Sequence, residues 1–323
     1  MRGKSKSSNV SWPTLEAGKI ILVAPLNWGI GHATRCVPII QQYLNEGHQV
    51  LLASNGRAKA FLQQRFPELT FLPDPPDYDI EYPEKGSWTF SIIKQVPKIL
   101  KRIGAEHRWL KKMIDEYQIS QVVSDNRYGL YAPNVHSVII THQTAPVVPK
   151  WGRRLVWSNM KRWLERFDEC QICDEQPIEH SIGKSLSHKN LPGNARFIGV
   201  LSRFSLIDTI PDTRYHTVAV VSGPEPTRTQ FEMELIERLK QIDKPTLIIQ
   251  GKTETSERKE YGQLTVVSHL PDQEFAAVLK GAKLVISRSG YSSLMDYRTL
   301  GIKHIELIPT PGQTEQTYLA SIQ

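Results

Sequence analysis

The chain has 323 residues, enough for two domains that each bury a core, and its 40% hydrophobic and 23% charged content is that of a globular protein. No apolar run approaches the ~20 residues of a bilayer-spanning helix. Arg2, Lys4 and Lys6 among serines lack the apolar stretch of a secretory signal, so a disordered tail over residues 1–18 and a cytoplasmic setting are expected. A net charge of +7 leaves an anionic membrane surface or nucleic acid open as partners and sets no fold.

In chain order, Ile20 to Ala24 reads as a buried strand, Pro25 to His32 as a turn, and Ala33 to Glu46 as a helix stopped by Gly47. Val50 to Ala53 is the next strand. This opening βαβ unit invites a dinucleotide reading, but Thr34 stands where a third glycine belongs and the second strand ends at Ser54-Asn55 without a ribose-binding acid; NAD is disfavoured. Pro67 to Pro83 is a proline-rich loop containing Asp77-Tyr78-Asp79, a DxD in a setting that predicts a solvated loop, so no metal is assigned.

Lys94 to Met113 reads as a helix with seven cations, Lys94, Lys98, Lys101, Arg102, Arg108, Lys111 and Lys112, against Glu106 alone. Trp151 to Phe167 repeats the theme, with Arg153, Arg154, Lys161, Arg162 and Arg166 among Trp151, Trp157 and Trp163. Such faces suit an anionic membrane interface or stacking on nucleic acid, or are solvated helix faces whose tryptophans point inward. Between them, strands at Gln121 to Ser124 and Val138 to Thr141 end in Asp125-Asn126-Arg127 and His142-Gln143. Polar residues after parallel strands line the crevice of an open α/β sheet, so His32, Asp125 and His142 are expected to face one cleft. Cys170-x-x-Cys173 has no second ligand pair for zinc and reads as a short strand.

A polar stretch from Asp208 to Thr213 suits a hinge, which places the domain boundary near residue 212. His216 to Val221 opens a second series, with Ser222-Gly223-Pro224 at its turn and Arg228 to Lys240 as its helix. Thr246 to Gln250, Leu264 to Val267 and Leu284 to Ser287 continue it as strands. Arg288-Ser289-Gly290 then breaks into an amphipathic helix carrying Leu294, Met295 and Leu300, which Gly301 stops. Glycine at 290 permits close backbone approach, and free N–H groups at the helix start beside Ser289 favour a diphosphate. Asp296 has the chemistry to accept hydrogen bonds from sugar hydroxyls. After the strand Ile305 to Ile308 and the turn Pro309 to Gly312, Gln313, Glu315 and Gln316 form a loop suited to reading a ribose or hexose. An ordinary serine-capped corner with a polar loop has the same residue types.

Taken together, Gly29-Ile30-Gly31-His32, Ser287-Arg288-Ser289-Gly290 with Asp296 eight residues after Arg288, and Pro309 to Gln316 resemble a GT-B glycosyltransferase, most nearly of the family 28 type. The likeness runs from about Lys19 to the C-terminus. It implies an α/β fold of two Rossmann-like domains facing a central cleft, an acceptor-binding one over residues 19–212 and a nucleotide-sugar-binding one over 213–323. Members generally continue for several further helices, so a short C-terminal domain is expected. The likeness also implies a UDP-sugar donor without a further cofactor, and an acceptor that is a glycan or lipid-linked. Ser222, Gly223, Ser289 and Gly290 would contact the diphosphate, backbone at Leu270 the uracil, Asp296 the ribose, and Gln313 and Gln316 the sugar, with Gly29, Gly31, His142, Gln143 and Glu315 lining the cleft. Pro224 and Pro226 depart from the family's glycine-rich turn and remove two donors.

By the same resemblance His32 is the general base and Asp125 its orienting carboxylate, while Arg288 and the helix start meet the charge of departing UDP. A UDP-sugar 2-epimerase, using Asp125 and Glu315 near the sugar, and a non-catalytic membrane- or nucleic-acid-binding module remain as alternatives.

Overall fold

The computed structural model describes residues 18–80, 88–253 and 255–323; the expected tail, save Gly18, and the far end of the Pro67 to Pro83 loop lie outside them. Two sheets are built from short, β-branched runs that are apolar on both faces, the pattern of parallel strands covered on both sides by helices. The first holds β1 (Ile20–Pro25), β2 (Gln49–Leu52), β3 (Thr70–Phe71), β4 (Gln121–Asp125), β5 (His136–Thr141), β6 (Glu169–Ile172) and β7 (Ala195–Phe197), in the order β3-β2-β1-β4-β5-β6-β7, all parallel. Its helices are α1 (Ile30–Asn45), α2 (Gly56–Arg65), α3 (Trp88–Tyr117), α4 (Arg153–Leu164) and the single turn α5 (Ser185–His188).

A 3₁₀ turn at Arg203–Leu206 leads into the second sheet. It contains β8 (Thr217–Val220), β9 (Thr246–Ile249), β10 (Arg258–Tyr261), β11 (Leu264–Val267), β12 (Leu284–Ser287) and β13 (Ile305–Leu307), ordered β10-β11-β9-β8-β12-β13. Only the β10–β11 pair is antiparallel. The helices here are α6 (Thr227–Leu239), α7 (Asp272–Gly281), α8 (Tyr291–Leu300) and α9 (Thr314–Ile322). Gly301, in the left-handed conformation at φ 70°, ends α8.

Strand order fixes the place of any site. In the first sheet the chain leaves β1 toward β2 and returns to β4 on the other flank, and in the second it leaves β8 toward β9 and returns to β12. Each reversal opens a crevice at the carboxyl ends of two neighbouring strands, β1 and β4 in one sheet, β8 and β12 in the other. The two crevices meet. Ile21, Val23 and Ile140 from one sheet share a continuous hydrophobic cluster with Val218, Leu247 and Val285 from the other, bridged by Leu201, Phe204 and Tyr291.

Candidate active site

β1 delivers the chain through Leu26 to Gly29, whose φ of 80° turns it into α1, so His32 lies in the first turn of that helix. β4 ends at Asp125, in register with Pro25 of β1. The pairing brings the His32 Nδ1 to 2.9 Å from Asp125 Oδ1. Asp125 is fully buried, and Arg35, one turn beyond His32 on α1, donates to both its carboxylate oxygens through Nε and Nη2. Burial alone would push the Asp125 carboxyl up, but the Arg35 guanidinium and then His32 hold it well below the usual carboxylate range. His32 is lowered, first by burial, with Asp125 opposing and Arg35 adding to the effect. Its side chain is 12% exposed, and Nε2 has no partner among the described residues.

The cluster continues across the gap. Arg35 Nη1 is 3.1 Å from His142 Nδ1, and His142 Nε2 is 3.1 Å from Oε1 of Glu315, on α9 of the second domain. Gln143 donates to the other Glu315 oxygen at 2.9 Å, and the His142 ring stacks on Tyr291, centroids 4.2 Å apart. Glu315 is held low: burial, the largest influence, works against ionisation, and the charge and hydrogen bond of His142 together with Arg35 and His32 overcome it.

The second crevice is built differently. At the β12–α8 corner, Ser289 is buried and donates to the Gln316 carbonyl at 2.8 Å, while Gln316 Oε1 accepts from the Thr310 N–H at 2.8 Å. Arg288 lies beneath. It donates to the Pro309 carbonyl at 2.8 Å, sits 3.8 Å over the Phe231 ring, and forms no ion pair among the described residues. Burial pulls its guanidinium below the usual arginine range. Arg288 Nε and Thr310 Oγ1 are buried without partners among the described residues. Gly223, at φ 113° after β8, faces Thr310: a Cβ there would stand 4.0 Å from its Oγ1.

The structure thus brings His32, Asp125, His142, Gln143 and Glu315 into one cluster, with Gly29 and Gly31 at its mouth, and Ser289, Gly290, Arg288 and Gln316 into a second beside Gly223. Ser222 precedes Gly223 in the same turn, Gln313 caps α9, and Leu270 packs at the edge of the shared core. Ser292 Oγ, in the first turn of α8, donates to the Gly31 carbonyl at 3.1 Å, and a Cβ on Gly31 would meet that oxygen at 2.8 Å. Asp296 is the outlier. It accepts from Ser202, at the head of the 3₁₀ turn, at 2.6 Å, and burial raises its carboxyl to about 6.

Some expectations need correction. Glu315 and Gln316 lie inside helix α9, anchored by buried Leu319, where a loop was expected. The proline-rich loop carries the short strand β3. In the DxD, Asp77 accepts from Asn27 at 3.2 Å while Asp79 pairs with Arg102, so the two carboxylates are engaged separately. Trp157 and Trp163 do turn inward, onto the Pro146 carbonyl and Tyr128, but Trp151 is 75% exposed. No helix among the described residues is long and apolar enough to cross a membrane. Arg35 was missed. Its signal was a cation three residues after His32 and four before apolar Ile39, on one side of a helix buried nearly all round.

No protein-family model matches the sequence, and no curated protein matches it significantly. Solved structures do. SnogD, a glycosyltransferase from Streptomyces nogalater, is 15% identical with a TM-score of 0.61, covering 95% of this chain and 85% of its own. The spinosyn rhamnosyltransferase SpnG is 13% identical with a TM-score of 0.60, covering 93% and 83%. MurG from Acinetobacter baumannii is 14% identical with a TM-score of 0.50, covering 94% and 82%, so the likeness does not single out family 28. With these neighbours and its own two parallel-dominated sheets, the chain has the GT-B fold of two Rossmann-like domains facing a cleft.

Proposed function

We propose that the protein is an inverting glycosyltransferase that moves a sugar from a nucleoside-diphosphate donor to a hydroxyl acceptor. The observation that carries the reading is the apposition of the two crevices: the Gly31 carbonyl, next to the base, accepts from Ser292 in the first turn of the diphosphate-side helix. As the acceptor oxygen bonds to the anomeric carbon, its proton passes to His32 Nε2 and the bond from that carbon to the diphosphate oxygen breaks. Ionised Asp125 then stabilises the imidazolium. Negative charge on the departing diphosphate is met by the N–H groups at the start of α8, with Arg288 tying the surrounding loops behind them. The reaction is proposed as metal-independent, which EDTA leaving turnover unchanged would support.

SpnG has been solved with thymidine diphosphate and with spinosyn aglycone, which supports a donor of this class and leaves uridine against thymidine to be measured. Isothermal titration with UDP, TDP, UDP-N-acetylglucosamine and NAD separates them. Binding of one diphosphate but not NAD is expected; silence toward every nucleotide would sink the proposal. Release of UDP from the sugar nucleotide without acceptor, with a C2-inverted sugar, would instead point to an epimerase.

A lipid-linked or envelope acceptor draws support from one surface. At the start of α4, Trp151 and Leu155 are 75% and 71% exposed beside Arg153 and Arg154. Such a face fits peripheral binding to an anionic leaflet. Co-sedimentation with phosphatidylglycerol vesicles that is lost in Trp151→Glu is the expected result, and equal sedimentation of the variant would remove the membrane from the picture.

A further inference from the structure

We propose that Arg35 is a positioning residue that fixes the tautomer of His142, competes with Asp125 for that of His32, and thereby links the second domain to the base; the His32 part rests on the function proposed above. Arginine has five N–H donors and no acceptor. The 3.1 Å contact from Arg35 Nη1 therefore requires His142 Nδ1 to accept, so the ring carries its proton on Nε2 and donates it to Glu315. Glu315, held ionised, is the matching acceptor. His142 then has one arrangement while the domains are together, and a different one is open to it once α9 withdraws.

At His32 the same guanidinium enters a competition. Nδ1 lies 2.9 Å from Arg35 Nη2, which can only donate, and 2.9 Å from Asp125 Oδ1, which can only accept when ionised. Both cannot be satisfied by one ring nitrogen. With the proton on Nδ1, given to Asp125, Nε2 presents a lone pair and the base is armed; with Nδ1 accepting from Arg35, Nε2 carries the proton and the ring cannot take one there. Protonated His32 excludes the Arg35 contact altogether. Arg35 thus opposes the imidazolium and keeps the resting ring neutral, while its pairing with Asp125 fixes the carboxylate that arms it.

Charged and titratable groups around this centre come from each packed element: Arg35 and Cys36 from α1, Asp125 at the end of β4 with Tyr128 beyond it, His142 after β5, Cys173 and Asp174 after β6, Tyr291 from α8 and Glu315 from α9, both tyrosines being raised by burial. The thiols are buried and raised, Cys36 well above the usual range and Cys173 to about 12, first by desolvation, so near neutral pH the carboxylates, histidines and Arg35 carry the argument.

The test uses ¹⁵N-histidine-labelled protein, long-range ¹H–¹⁵N correlations, and the pH profile of kcat/KM in wild type, Arg35→Gln and Arg35→Lys. Wild type should show His142 protonated at Nε2 only. In Arg35→Gln that preference should be lost, and His32 should titrate about 1 pH unit or more higher, carrying the acid limb with it, because a cation within hydrogen-bond distance is gone. Arg35→Lys keeps a charge but not the fork, so it should restore the acid limb and leave the His142 tautomer mixed; it also serves if the glutamine variant does not fold. An unchanged His142 tautomer together with an unmoved His32 titration would overturn the proposal. Absence of transfer with every sugar nucleotide would count against the glycosyltransferase reading alone, since the tautomers are read without turnover.

Discussion

Around His32 each buried charge has an opposite charge at hydrogen-bond distance. Asp125 accepts from Arg35, and Glu106 accepts from Arg127 at 2.8 Å and from Tyr78 at 2.8 Å. Around Ser289 the buried Arg288 has carbonyls and a ring but no carboxylate within ion-pair distance among the described residues, whereas Arg228 next to its Thr227 contact is paired with Glu225 and Glu232, and the helix starts beside Arg288 add further positive ends. The difference is informative because a paired buried charge is already neutralised, whereas an unpaired one in a polar crevice still has the charge to attract an anion. On the proposed function, the first corner serves proton transfer and the second an anion.

The sharpest break in that comparison is His32→Ala. Transfer should fall ~10²–10⁴-fold while the Kd for the nucleoside diphosphate stays within about twofold, read by initial rates and titration. Unchanged transfer would remove the base from the first corner. Next, Asp125→Asn strands the Arg35 charge and should destabilise the fold by about 3–5 kcal/mol in urea. Arg288→Met strands only carbonyls and should lose about 1–3 kcal/mol, with donor affinity falling alongside. If Arg288→Met destabilised as much as Asp125→Asn, the two corners would not differ as described.

The smallest effect concerns Asp296. Its folded carboxyl is raised to about 6 by burial, above the unfolded value of 3.8, so protonation favours the folded state. The contribution is full below about pH 4 and is lost as pH rises through 6. Asp296→Asn should therefore gain stability relative to wild type between pH 4 and pH 8, by roughly 1–3 kcal/mol in urea. A flat difference across that range would mean that the carboxyl meets solvent freely.

Much of this was legible in the residues. Apolar runs such as Ile20 to Ala24 and Leu284 to Ser287 announce buried parallel strands, and polar residues at their ends mark the crevice. β10 was not legible, because Arg258 to Tyr261 is exposed and charged and earns its pairing only from neighbouring β11. Arg35 and the Ser202 contact of Asp296 escaped for another reason. A buried ion pair between residues 90 apart leaves no periodic trace, and a carboxylate carries no mark of which way its helix faces.

The hydrophobic cluster that joins the two sheets has a thermodynamic consequence. Ile182, Leu186 and Tyr291 pack with Leu294 and Leu319, so apolar area from either lobe is covered by the other. Melting one lobe would bare the flank of its neighbour, and calorimetry should record a single endotherm rather than two. The protein's halves would then be joined in stability as well as in sequence, and a fragment cut near residue 212 would leave Tyr291 without the His142 ring that stacks on it.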